Sequence, residues 1–186
     1  SSATTELTCA VTDITLDASG STVQGTASYL WSTGETTSTI SVNTPGAYSV
    51  TITDSDNGCT DVANITITQD ITAPTASISS ATTELTCAVT DITLDASGST
   101  VQGTASYLWS TGETTSTIDV ATAGTYSVTI TDSDNACTDT ANIVITSDAN
   151  IPTADITSAA TELTCTLTDI TLDASGSTVS GTIAYL

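Results

Sequence analysis

The sequence predicts an all-β protein built from tandem β-sandwich repeats. Three observations predict it: a 78-residue internal period, short runs in which apolar and polar residues alternate, and turn-forming residues between those runs. The period is read from the string TELTC, which places Glu6, Glu84 and Glu162 at steps of 78 residues (84 − 6 and 162 − 84). Cys9, Cys87 and Cys165 keep that step, as do Cys59 and Cys137. Aligning residues 1–70 with 79–148 leaves eight differences, at 41, 43, 45, 47, 58, 62, 66 and 69.

Within one repeat the strands follow in order. Ile14, Leu16 and Ala18 alternate with Thr15 and Asp17, the period of a strand with one face buried. Ala27 to Ser32 around Trp31, and Ser38 to Val42, are the next two candidates. Tyr48, Val50 and Ile52 alternate with Ser49, Thr51 and Thr53, and Val62 to Thr68 carries Ile65 and Ile67. Turns are expected at Ser19–Ser21, Thr33–Glu35, Thr44–Gly46 and Asp54–Gly58, where Gly, Asp, Asn, Ser and Pro gather. Six or seven short strands with abundant β-branched residues and no helical period point to an immunoglobulin-like sandwich, with helix close to nil.

Gln69–Pro74 and Ser147–Pro152 are read as short linkers, because a proline cannot continue a preceding strand. The expected division is 1–70 for a first unit lacking its first strand, 71–148 for a complete second unit, and 149–186 for the N-terminal half of a third. The array is therefore expected to continue in both directions.

Charge narrows the chemistry. The 186 residues include no Lys, Arg or His against 16 Asp and 5 Glu, a net charge of −21. Phosphate recognition needs cationic side chains, so nucleic acid is excluded as a partner, as is polybasic attraction to lipid. No apolar run approaches the roughly 18 residues of a membrane-spanning helix. Acid–base catalysis would have to rest on carboxylates, Tyr or Cys, and an enzyme is not expected. The pair Asp13 and Asp17 invites a glycosidase reading, but it recurs in every unit with no supporting motif.

The strings DASGST (17–22), SYLWSTGETTSTI (28–40) and PGAYSVTITDSDNGCT (45–60) resemble PKD-like repeats, most closely the SprB-type repeats of giant surface adhesins in gliding and predatory Bacteroidota. That resemblance covers essentially each whole repeat. It implies an immunoglobulin-like fold, export by the type nine secretion route, and a place in long cell-surface filaments for attachment, motility or capture. After the tryptophan, Ser32 and Thr33 stand where PKD repeats carry Asp-Phe-Gly-Asp, so functions tied to that stretch are not carried over.

An extracellular location favours paired cysteines. The expected bonds lie within repeats, Cys9 with Cys59 and Cys87 with Cys137, each 50 residues apart, with the partner of Cys165 outside the sequence. A loop of that size would add about 4 kcal/mol by the chain-entropy estimate. A link from Cys59 to Cys87 between repeats, and buried free thiols, stay open as alternatives. The segment before the second strand and the late hairpin can lie at opposite ends of a sandwich, in which case the bond within a repeat cannot close.

The acids gather in the late hairpin and the linker: Asp54, Asp56, Asn57, Asp61 and Asp70, repeated as Asp132, Asp134, Asn135, Asp139 and Asp148. Carboxylates and loop carbonyls suit Ca²⁺, and the expected cofactor is calcium that stiffens the array. Solvated turn residues are the plainer alternative. Trp31 and Tyr48, with Trp109 and Tyr126, are read as core residues rather than a carbohydrate platform. Asn64 opens an Asn-Ile-Thr sequon that its counterpart Asn142 lacks.

The functional expectation is a structural stalk or spacer of a very long extracellular adhesin or filament. Its partners would be neighbouring repeats, further copies in a filament or bundle, and other cells reached through regions outside this sequence. The competing expectation is a repeat surface that itself binds glycan or protein, with specialisation at 41–47 and 58–69 where the differences fall.

Overall fold

The computed structural model describes Ser2, residues 4–182 and Ala184, and among these the protein is all β with no helix. The first unit contains β1 (Glu6–Leu7), β2 (Ile14–Asp17), β3 (Ala27–Trp31), β4 (Thr39–Val42), β5 (Gly46–Asp54) and β6 (Thr60–Gln69). One sheet has the order β1-β6-β5-β3, and β2 and β4 form the other. Their inner faces close one core, an immunoglobulin-like sandwich.

The alternation read from the sequence is the alternation of burial. Along β5, Tyr48, Val50, Ile52 and Asp54 point inward. Ile14 and Leu16 of β2 lie opposite Val42 and Ile40 of β4, so each cross-strand pair presents both side chains to the same face. Burying each such side chain contributes about 1.5–3 kcal/mol. Trp31 is 4 % exposed and donates its Nε1–H to the Thr37 carbonyl at 2.8 Å, so its one polar atom is satisfied inside the core. Tyr48 donates its hydroxyl to the Thr44 carbonyl at 2.9 Å, tying the start of β5 to the turn before it.

The second unit repeats this plan with β7 (Glu84–Thr86), β8 (Ile92–Asp95), β9 (Ala105–Trp109), β10 (Thr117–Val120), β11 (Gly124–Asp132) and β12 (Thr138–Asp148). It has its own core around Leu94, Trp109, Val128 and Ile130. Its entry differs from a plain linker. Directly after the stretch read as a connection, Thr75 bridges Thr100 and Ser79 bridges Asp95, so residues 75–79 lie along the sheet that contains β8. The chain then crosses to the other sheet, where β7 runs parallel to the last residues of β12. β1 meets β6 in the same way, Glu6 opposite Thr68 and Leu7 opposite Gln69.

This crossing decides where the cysteines go. The TELTC segment ends beside the exit of the last strand, and the β5–β6 or β11–β12 turn lies at that strand's other end. All eight positions that differ between the units are exposed in both, so the two cores are identical in sequence.

Residues from 149 onward add β13 (Thr157–Ser158) and β14 (Leu172–Asp173), which pair antiparallel, and a bridge from Thr153 to Thr178. Leu172 is 68 % exposed while its equivalent Leu94 is 0 % exposed, because no second sheet covers this region among the described residues.

Candidate functional site

The feature with most chemistry is the junction between the first two units. It is made by the turn between β11 and β12, whose residues Asp132–Cys137 meet the loop after β1 and the segment after β6. Cys9 and Cys137 form a disulfide with a Cα–Cα distance of 5.0 Å and a sequence separation of 128. The Cys9 amide donates to the Asn135 carbonyl at 3.2 Å. The Asn135 side-chain amide donates to the Thr72 carbonyl at 3.0 Å. Asn135 and Cys137 are 2 % and 1 % exposed.

The turn is built to present these groups. Asp132, at the inward position that ends β11, is buried, and its carboxylate accepts from the backbone amides of Asp134 (3.0 Å), Gln102 (3.2 Å) and Gly103 (3.1 Å). Three amide donors replace the water that a buried carboxylate loses. Asn135 Oδ1 accepts from the Cys137 amide at 2.9 Å, which fixes the cysteine's approach. Ala136 holds φ +58°, where its counterpart Gly58 holds +73°.

The pairing corrects the sequence expectation. Cys9 is not bonded to Cys59, nor Cys87 to Cys137; Cys59, Cys87 and Cys165 are free and exposed. The alternative link from Cys59 to Cys87 is not formed either. The reason is the parallel pairing of β1 with the far end of β6. Leu7 lies opposite Gln69, while Cys59 precedes Thr60 at the other end of that strand. Nine residue steps at about 3.3 Å separate the two ends by about 30 Å, far beyond the roughly 7 Å that a disulfide can span between Cα atoms.

The acids expected to hold calcium are distributed as follows. Asp54 accepts from the amides of Gly25 (3.3 Å) and Asp56 (3.0 Å) and from the Asn57 side chain (3.2 Å). Asp61 accepts from the Val62 amide, Asp70 from the Thr72 amide, Asp139 from the Ala76 amide, and Asp148 from the Asn150 amide. Among the described residues no three His, Cys, Asp or Glu side chains come close enough to hold a metal ion. Two pairs do converge: the carboxylates of Asp54 and Asp56 crowd Gly25, and those of Asp132 and Asp134 crowd Gly103.

Hydrogen bonds shift two of these acids. The Thr72 amide, followed by the Asn135 side chain, lowers the Asp70 pKa from its ordinary 3.8. The Ala76 amide, followed by that of Thr140, lowers Asp139 in the same direction. The Ser19 side chain, followed by the Ser19 amide that donates to it at 2.7 Å, lowers the Asp17 pKa. Asp13 accepts from the neighbouring Thr12 hydroxyl. The Asp17 contact caps the turn that follows β2. Trp31, Tyr48, Trp109 and Tyr126 are buried, and Asn64 lies exposed on β6.

No family model matches the chain, and no curated protein matches it. Among solved structures, murine CEACAM1b is similar with a TM-score of 0.40 and 11 % sequence identity, over 79 % of this chain and 98 % of that one. No helix among the described residues is long and apolar enough to cross a membrane.

Proposed function

We propose that the chain is a structural stalk, a stretch of tandem immunoglobulin-like repeats that sets distance and stiffness in an extracellular filament or adhesin. The observation that carries this reading is the junction. A disulfide and a backbone hydrogen bond hold one sandwich to the next, and a buried amide fastens the connection between them, which a string of independently acting binding modules would not need. The identity of the two cores and the surface location of every difference support it, since a spacer needs the same packing in each copy. The resemblance to SprB-type repeats supports export to the cell surface and service in attachment, gliding or prey capture. No enzymatic role belongs to this reading.

Length is the testable product. Each sandwich with its connection adds about 35–40 Å if units stack end to end, given strands of about ten residues. Small-angle scattering on the chain and on a version lengthened by one 78-residue unit should show the maximum dimension growing by that amount. An unchanged dimension would sink the stalk. If instead the purified chain binds target cells in a titratable way, the surface of the repeat is the active part.

Calcium enters at the carboxylate pairs over Gly25 and Gly103, where like charges meet with no side-chain cation in the whole chain to offset them. Chelator should then lower the melting temperature, and an unchanged midpoint would remove calcium from the reading.

A further inference from the structure

The same turn exists here in two environments. In the second unit it is seated against a neighbour, with Asn135 and Cys137 buried. In the first unit Asn57 and Cys59 are exposed, and the Asn57 amide turns back to its own Asp54 at 3.2 Å. Beside Cys59 runs a groove of 440 Å³ whose lining includes Ser21, Thr22, Asp61 and Ala63. In the second unit the corresponding strip is covered by that unit's own entry segment: Thr75 bridges Thr100, the Ser77 amide donates to Ser99 Oγ at 3.0 Å, and the Ala76 amide donates to Asp139 at 2.8 Å. Thr100, Ser99 and Asp139 are the equivalents of Thr22, Ser21 and Asp61 one period earlier. At the opposite end of the second unit, Cys87 occupies the place that Cys9 occupies in the first.

We propose that the 54–59 turn forms a socket for the far end of another repeat of the same kind, closed by a disulfide from Cys59 to that repeat's TELTC cysteine, as the equivalent turn is closed by Cys9–Cys137. Cys87 is the matching plug for the turn of a further repeat. The two cysteines of each repeat thus serve two different junctions, with partners 128 residues apart, one 78-residue period plus the 50 residues between Cys9 and Cys59. The inference rests on the stalk reading and specifies how its joints close. Each bond forms as two thiols pass two electrons and two protons to a small-molecule disulfide such as oxidised glutathione, which is reduced to two thiols.

Counting thiols in denaturant tests it. The chain of five cysteines, refolded with a glutathione redox pair at a dilution that keeps it monomeric, should keep three free thiols; bonds within repeats would leave one. A longer chain, with residues 1–78 duplicated ahead of Ser1 to hold the register, carries seven cysteines. Between-repeat pairing should again leave three free thiols, and Cys59→Ser should raise the number to four. One free thiol, five free thiols, or a count that Cys59→Ser leaves unchanged would each overturn the proposal. Because the chain contains no Lys or Arg, cleavage beside its acids rather than by trypsin would map the bonds. Particle length from scattering does not depend on the thiol count, so failure of the joint and failure of the stalk are separable.

Discussion

Gly103 shows how closely the turn is packed against its neighbour. A methyl group there would collide with the carboxylates of Asp132 and Asp134, and Asp132 has three amide donors to lose if it moves. Gly103→Ala should lower stability by about 1–3 kcal/mol, as overpacking does elsewhere, measured by urea unfolding of the oxidised chain. A surface glycine such as Gly20, with nothing near its side, gives the control. The sequence marked these aspartates by clustering alone, and clustering does not say what the oxygens accept from. An oxygen suited to a cation is equally suited to a backbone amide. Only the approach of Gly25 and Gly103, about thirty residues upstream, shows that amides take much of that capacity.

At the scale of the strand, long alternating runs were legible because a period of two repeats itself several times: β5 is where Tyr48, Val50 and Ile52 placed it. The two- and three-residue pairings of β1 and β7, and the bridges of Thr75 and Ser79, carry too few residues to show a period. They are held by partners far along the chain, and that is why residues read as a connection lead directly into a sheet. Asp139 is one of those partners, through the Ala76 amide. Its pKa is lowered in the folded protein, so its contribution is complete above the unfolded value of about 3.8 and is lost as pH falls through the lower folded value. Asp139→Asn removes this titration. The stability difference between wild type and variant should therefore shrink below pH 3.8 and stay constant above about pH 5, read from paired unfolding curves; a difference independent of pH would exclude the assigned role.

For the whole molecule, period and strand pattern predicted repeated immunoglobulin-like sandwiches, but not the order of strands within their sheets. What the sequence left undecided was which cysteine meets which. Spacing along the chain carries no information about the end of a sandwich at which a residue emerges, and the parallel pairing of β1 with β6 reverses the arrangement that spacing suggests. The observed bond closes a loop at a sequence separation of 128, for which the chain-entropy estimate is about 5 kcal/mol. Reduction should lower the unfolding free energy by up to about that amount and increase the angular freedom between the two units, seen as a broader distribution of dimensions in scattering. Cys137→Ser should reproduce both effects without reductant, and a variant as stable and as rigid as wild type would show that the bond does neither.

The bond from Cys9 to Cys137 also changes what a pull or a cut does to the chain. Tension applied across it passes through two sulfur atoms and bypasses the 127 residues between them, so about 450 Å of backbone cannot pay out and the load falls on β1 and β12, which lie outside that stretch. A protease that nicks the backbone once anywhere in that stretch leaves the two pieces covalently joined.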